Sequence, residues 1–161
     1  MPEPDSRDAI GQLSDEVLRF VRLGARAKGM LNTAEFGAEF SALMLLFPLC
    51  HHGPMRVTDL AEIKGADPST ISRQAAQLVR SGLVRREADP GDGRASRLAA
   101  TELGRAAQAR LRAARQEMLI RALEDWPAER VRVFTDLFEE FNSSVEALLR
   151  TDAATPARET A

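Results

Sequence analysis

The stretch from Ser69 to Arg97 concentrates the side chains best able to do chemistry. It holds six arginines (Arg73, Arg80, Arg85, Arg86, Arg94 and Arg97) against Glu87, Asp89 and Asp92, a local excess of three positive charges. Ser69, Thr70, Ser72, Gln74 and Gln77 are interleaved with the first of them. Guanidinium groups bind planar anions as a fork, while amides and hydroxyls can both donate and accept hydrogen bonds. These are the groups that reach phosphates and base edges in a nucleic acid. The whole chain has a formal charge of -2. Exposed charges more than about 10 Å apart are largely screened at moderate salt, so the local excess matters more than the total. Only Lys28 and Lys64 are lysines, so nearly all the positive charge is of the kind suited to bidentate contacts.

Other chemistry finds little footing. The two histidines, His51 and His52, are neighbours in sequence. On a helix they point about 100° apart, and a zinc site needs three or four ligands at suitable spacing. No metal and no cofactor is expected. No Ser/His/Asp or Cys/His set and no phosphate-cradling glycine loop is visible, so the chain does not read as an enzyme. Cys50 is the single cysteine and cannot form an intrachain disulfide, which fits a reducing cytoplasm. It reads as a buried structural thiol, with redox sensing as the alternative. No apolar run approaches the ~18 residues of a membrane span, and the N-terminus MPEPDSRDAI lacks the apolar core of a signal peptide.

The elements that must position the arginines can be read from punctuation. Asp67 suits a helix N-cap and Pro68 the first helical position, so a helix is predicted from there to about Ser81, with Gly82 just past its end. At about 100° per residue, Ile71, Ala75, Leu78 and Val79 share one face. They are expected to pack on a preceding helix, Thr58 to Lys64, through Leu60, Ala61 and Ile63. Ser69, Thr70, Arg73, Ala76, Gln77 and Arg80 share the opposite face. Leu83 to Glu87 then has strand character, Ala88 to Ser96 reads as a turn-rich loop, and Arg97 to Ala100 can return as the partner strand. Thr101 opens another helix as its cap. A hairpin beside such a helix is a wing. Arg94 near its tip can enter a narrow minor groove, with Asp92 fixing its guanidinium in a charge-assisted pair.

The run STISRQAAQLVRSGLVRREADPGDGRASRLAAT resembles the DNA-binding core of the MarR family of bacterial transcription regulators. The wing motif stands as Asp92-Gly93-Arg94, followed by Thr101-Glu102-x-Gly104. The resemblance spans roughly Asp8 to Arg150. It departs at Ala99-Ala100, where relatives often carry a larger apolar residue. It implies that Arg94 contacts the minor groove, that Asp92 supports it, and that the N-terminal helix joins a dimer interface. It also implies control by a small apolar or aromatic effector bound between the dimer helices and the DNA-binding lobe, with Phe40, Met44, Phe47 and His51 as candidate lining.

The remaining chain fits that frame. Residues 1–7 read as a loose tail. A helix is predicted from Asp8 to about Lys28 through Ile10, Leu13, Val17, Phe20 and Val21. A second is predicted from Ala34 or Glu35 through Phe47, with Pro48 kinking or ending it. Met55 to Val57 can add a short strand to the wing sheet. A long helix is predicted from Thr101 to about Glu124 with an apolar stripe of Leu103, Ala107, Leu111, Ala114, Met118 and Ala122. Its arginines, Arg105, Arg110, Arg112 and Arg115, are expected to be solvated or paired with the acidic terminal helices. After a corner at Trp126-Pro127, a last helix runs from Ala128 to about Arg150, apolar enough to want a large partner surface. Residues 151–161 read as disordered.

The expected fold is mainly α with a small β-hairpin wing. A winged helix-turn-helix domain occupies residues 33–101, and dimerisation helices occupy 8–32 and 102–150. The expected function is a cytoplasmic, homodimeric regulator, a repressor by resemblance, on a palindromic double-stranded DNA operator. Ser69, Thr70, Ser72, Arg73, Gln74, Gln77, Arg80, Arg86, Asp92 and Arg94 are expected at the DNA. The competing reading is a winged-helix protein–protein module, which calls for an apolar or acidic helix face and a blunt wing; Arg73, Gln77 and Arg94 argue against it.

Overall fold

The computed structural model describes residues 4–28 and 33–154, and the chain divides into two units, residues 1–115 and 116–161. The first unit runs α1 (Pro4–Lys28), a 3-10 turn (Ala34–Phe36), α2 (Phe40–Leu43), α3 (Leu46–His52), α4 (Val57–Lys64), α5 (Pro68–Arg80), β1 (Val84–Asp89) and β2 (Asp92–Ala100). It continues into α6 (Glu102–Ala122), whose last turns belong to the second unit, with α7 (Ala128–Ala154). The two strands form one antiparallel hairpin. The architecture is the expected helical one with a wing.

Leucines set the centre of the first unit. Leu43, Leu45, Leu46 and Leu49 from α2, α3 and their junction meet Leu60 of α4, Ile71, Ala75 and Leu78 of α5, Leu83, Val84 and Leu98 at the wing base, and Ala107 and Leu111 of α6. Each fully buried leucine or isoleucine contributes roughly 2 kcal/mol of hydrophobic free energy, so this one cluster holds α2 to α6 together. Two residues assigned to the α4–α5 seam are not in it: Ile63 is 52% exposed and Val79 36% exposed. On α4 the inward direction is set by Leu60 and Ala61, and Ile63 lies roughly 110° from it at the helical period. Val79 falls on the shoulder of the face made by Ile71, Ala75 and Leu78.

The expected single helix through Phe47 is broken instead into a turn and two short helices. Gly37 ends the 3-10 turn at φ 64°, a left-handed conformation that favours glycine. Pro48 supplies the second break. It has no N–H and its ring crowds the carbonyl four residues back, so the helix stops near Met44 and restarts at Leu46. Pro48 then sits in the first turn of α3, where its missing donor costs nothing. The expected strand at Met55–Val57 is reduced to one bridge. Met55 and Leu98 exchange both backbone hydrogen bonds, at 3.1 and 2.8 Å, and α4 begins at Val57.

The wing is longer and its turn tighter than the composition suggested. Val84 pairs with Ala100 and the register continues to Ala88 opposite Ser96, then jumps to Asp89 opposite Asp92. Only Pro90 and Gly91 remain as turn, so most of the expected Ala88–Ser96 loop is strand. The Asp89 carboxylate accepts from the Gly91 N–H at 2.8 Å, and the Asp92 carboxylate from the Arg94 N–H at 3.1 Å. These Asx turns hold both flanks extended. The register jump leaves Gly93, Arg94 and Ala95 as a bulge on β2.

At the wing base α6 is locked to β1. The Thr101 hydroxyl donates to the Gly82 carbonyl at 2.7 Å and accepts from the Gly104 N–H at 3.0 Å, while the Thr101 N–H donates to Leu83 O at 3.0 Å. A Cβ on Gly104 would stand 2.0 Å from Leu83 O. The Thr101-Glu102-x-Gly104 motif is therefore a cap plus a close approach. Of the stripe predicted on α6, Ala107 and Leu111 are buried, but Leu103 is 58% and Met118 42% exposed. Arg105, Arg110, Arg112 and Arg115 of α6 are exposed, as the solvated alternative expected, and three of them also have partners inside the first unit. Arg105 pairs with Glu102 and donates to Ala100 O, Arg110 pairs with Glu35 and lies over Phe36, and Arg115 lies over Phe47.

The long helices outlast their predicted ends. α1 already begins at Pro4, and α7 continues to Ala154; the rest of the two expected tails, residues 1–3 and 155–161, lies outside the described residues. In α1, Ile10, Leu13, Leu18, Phe20, Val21 and Leu23 are all exposed. In the second unit Trp126, Phe134, Phe138 and Phe141 form a run of ring contacts at 5.8 to 6.3 Å, and Val133, Leu137, Val145, Leu148 and Leu149 are exposed beside them. Among the described residues no helix is long and apolar enough to cross a membrane.

Candidate nucleic-acid interface

α5 is fixed at both ends before any ligand arrives. Asp67 caps it, its Oδ1 accepting from the Ser69 N–H at 2.7 Å, with Pro68 at the first helical position. The Ser69 hydroxyl, more than the backbone N–H groups, holds the Asp67 carboxyl below its usual range. At the other end Gly82 turns the chain at φ 71°. The Ser81 hydroxyl donates to the Gly37 carbonyl at 2.7 Å.

With Ile71, Ala75 and Leu78 committed to the core, Ser69, Ser72, Arg73 and Arg80 are exposed on the other face. Thr70 is half-buried, and its hydroxyl accepts from Arg73 Nη2 at 3.3 Å. Gln74 and Gln77 are half-buried at the edge of this face. The Gln77 carboxamide oxygen accepts from the Glu39 N–H at 3.2 Å. It ties α5 to the start of α2, so a bidentate pair with adenine requires Gln77 to release that bond first.

On the wing, ion pairs sort the arginines. Glu87 takes Arg85 at 3.0 Å and Arg97 at 3.2 Å. Asp89 and Asp92 are both taken by an arginine from outside the stretch: Arg56 Nε is 2.7 Å from Asp89 Oδ2, and Arg56 Nη2 is 3.9 Å from Asp92 Oδ2. The expected Asp92 contact to the Arg94 guanidinium is thus replaced by one to the Arg94 N–H, which fixes the backbone from which Arg94 projects. Arg86 reaches Ser96 Oγ at 3.4 Å. Among the described residues Arg73, Arg80, Arg86 and Arg94 have no carboxylate partner. All three acids of the stretch are used up elsewhere, so none of those four guanidinium groups on α5 and the wing is ion-paired, although the Arg73 charge is felt by the Asp67 carboxylate.

Arg56 was missed because its partners lie more than thirty positions along the chain. The wing offers its aspartates local arginines, Arg86 and Arg94 among them, so nothing in the sequence pointed to Arg56 as their partner. Arg56 is the N-cap residue of α4, and its own N–H donates to Asp59 Oδ2 at 3.1 Å. The hydrogen bond from Arg56, followed by that from the Gly91 N–H, holds the Asp89 carboxyl below its usual range.

The predicted effector residues separate. Phe47 and His51 line a cleft of about 400 Å³ together with Pro48, His52, Gln108, Arg112 and Arg115. Phe40 and Met44 are half-buried and do not line it, since Met44 turns to the core when the helix breaks before Leu46. The cleft is also more basic than expected, with two guanidinium groups beside two imidazoles in edge-to-face contact at 4.6 Å. Cys50 is half-buried next to it, and burial pushes its thiol pKa up, opposed by the Arg105 charge. A raised pKa keeps the thiol protonated and slow to react. Among the described residues no three His, Cys, Asp or Glu side chains converge on a possible metal position.

Comparison with known proteins meets this geometry. Residues 39–96, from the start of α2 to the wing, match the model of the MarR family. The HTH-type transcriptional regulator YxaD of Bacillus subtilis (strain 168) is 37% identical over 106 residues, 66% of this chain and 74% of that protein. The solved structure of a MarR family protein from Bacillus stearothermophilus superposes with TM-score 0.75, covering 87% of this chain and 97% of that one at 20% identity, a likeness of fold. A MarR family transcriptional regulator from Rhodococcus sp. RHA1 is 27% identical with TM-score 0.63 over 80% of this chain and 95% of that one. A capped helix with a basic outer face, a hairpin wing carrying Asp92-Gly93-Arg94 at its turn, and a relative 37% identical over 106 residues all agree, and the chain belongs to the MarR family of transcriptional regulators.

Proposed function

We propose that the protein is a repressor that binds a palindromic DNA operator as a homodimer and leaves it when a small effector binds. The observation that carries this reading is the sorting of the arginines. Every acid between Ser69 and Arg97 is ion-paired, and within that stretch Arg73, Arg80, Arg86 and Arg94 are left without a carboxylate partner, on α5 and the wing. Ser69, Ser72, Arg73 and Arg80, with Thr70, Gln74 and Gln77 at the edge, are the face that enters the major groove. Arg94 enters the flanking minor groove, where negative potential is concentrated. Arg86 on β1 meets the phosphates between them.

The homodimer follows from what is left uncovered. α1 and α7 each expose a row of large apolar side chains, more than a soluble monomer normally presents. Two-fold pairing of these helices covers the rows and sets two α5 helices about one DNA turn apart, roughly 34 Å, hence a palindromic site. Such a regulator works in the cytoplasm beside its DNA. The basic cleft between α3 and α6 is the effector site. Phe47 offers a ring face and Arg112 and Arg115 offer charge, which suits a small aromatic acid better than a neutral apolar molecule. An effector acts only through different affinity for the DNA-bound and released forms. Titration of a palindromic duplex followed by fluorescence anisotropy tests the reading. Specific binding that an aromatic acid reverses supports it; binding indifferent to sequence refutes it.

A further inference from the structure

We propose that Arg56, which lies outside the recognition helix and the wing, is a positioning residue for the DNA contact of Arg94. This rests on the reading that Arg94 reaches the minor groove. The Arg56 guanidinium spans both aspartates of the wing turn, at 2.7 Å from Asp89 and 3.9 Å from Asp92. Each aspartate spends its other oxygen on the wing backbone, Asp89 on the Gly91 N–H and Asp92 on the Arg94 N–H. Arg56 is itself anchored. It caps α4 with its N–H bound to Asp59, and it follows Met55, which is bridged to Leu98 of β2. Arg56 therefore links the start of α4 to the wing turn in two ways: a charge-assisted hydrogen bond to Asp89, which holds the Gly91 N–H, and a longer ion pair of 3.9 Å to Asp92, which holds the Arg94 N–H. A two-stranded ribbon is floppy at its tip, and among the described residues Arg56 is the side chain from outside the hairpin that pairs with this turn. The Asp89 side chain is only 11% exposed, so the pair is partly sheltered from solvent.

The arrangement separates a positioning role from a direct one. Arg56 keeps exposed N–H donors, but with two carboxylates beside it its charge attracts a phosphate less than a free guanidinium would. A DNA contact made by Arg56 itself contributes about 0.9 to the slope of log affinity against log salt, whereas a positioning role contributes none. Asp89→Asn gives the opposite signs. If Arg56 were a phosphate contact restrained by Asp89, removing that charge would tighten binding. If Arg56 acts through Asp89, the same change loosens it.

The test is anisotropy titration of the wild-type chain and of R56A, R56K, D89N, R56A/D89N and R94A against a specific duplex at several salt concentrations, with thermal midpoints as a fold control. The expected result is that R56A and D89N each weaken specific binding about tenfold, the worth of one charge-assisted hydrogen bond, with the salt slope unchanged. The double variant is expected to be no weaker than either single one. R56K keeps the charge without the fork and recovers only part of the loss; it carries the test if R56A does not fold. A fall in slope of about 1 with R56A, together with tighter binding by D89N, would assign Arg56 to the DNA and overturn the proposal. Wild-type affinity in R56A would overturn it as well. If R94A alone binds like wild type, the minor-groove reading falls and this proposal falls with it, whereas loss in R94A but not in R56A overturns only the proposal.

Discussion

Gly104→Ala is expected to be among the most destabilising single-methyl changes available in this chain. The added Cβ would stand 2.0 Å from Leu83 O, 3.0 Å from Leu83 C and 3.3 Å from Leu46 Cδ2. Ordinary contact to a carbonyl oxygen needs more than 3 Å, so something must move by about 1 Å. The oxygen cannot yield cheaply, because it accepts from the Thr101 N–H at 3.0 Å and the Thr101 hydroxyl at 3.1 Å. The strain of forcing an extra carbon into such a place is about 3 kcal/mol, and loosening the Thr101 bonds adds about 1 kcal/mol. Alanine in place of glycine within a helix returns about 1 kcal/mol. The net is about 3 kcal/mol, a fall of about 10 °C in midpoint for a chain of this length. Thermal and urea unfolding followed by circular dichroism measure it. Gly93→Ala, where nothing lies within 4 Å, serves as control and should stay within about 0.5 kcal/mol of wild type. A wild-type midpoint for Gly104→Ala would refute the close approach of α6 to β1 and with it the account of the wing base.

Two further outcomes follow from the caps and the bare helices. The folded-state pKa of Asp67 lies below its unfolded value near 3.8, so its contribution is present above about pH 4 and is lost as pH falls through the folded pKa; acid unfolding of Asp67→Ala is therefore expected to show a shallower pH dependence than wild type in that range, and identical curves would refute the cap. The wild-type chain should scatter light as twice 17.7 kDa. Leu137→Glu or Leu148→Glu, each placing a charge in the exposed apolar row of α7, should halve that mass, and a monomeric wild type would refute the dimer.

Much of the candidate interface was legible because local punctuation controls it. Asp67-Pro68 and Gly82 bound α5 as their chemistry dictates, and the 3.6-residue period put Ile71, Ala75 and Leu78 inside. Where several residues compete for one place, the sequence was less readable. Ile63 and Val79 are apolar and near the right face, yet the seam is filled without them. Pro48 was recognised as a breaker, but only the packing of Leu45 and Leu46 decides that the chain restarts as a helix beyond it. The wing was underestimated because Pro, Gly and Asp read as loop, whereas the aspartates stitch their own turn and keep the flanks extended. Arg56 and the Glu39–Gln77 bond lay beyond reach, since both join residues more than thirty positions apart. The basic cleft was half-visible. Phe47 and His51 share one short helix and could be read together, but Arg112 and Arg115 arrive from α6.

The measurement that goes to the centre of the account is the salt dependence of affinity for a palindromic duplex recovered with the protein from genomic fragments, set against a scrambled duplex. The four arginines of α5 and the wing without an ion pair make about eight in a dimer, and some of these meet bases in the proposed complex. The expected result is tight binding to the palindrome, far weaker binding to the scramble, and a slope of log affinity against log salt between about -4 and -7. Equal binding of the two duplexes, or a slope near zero, would show that these arginines do not face DNA.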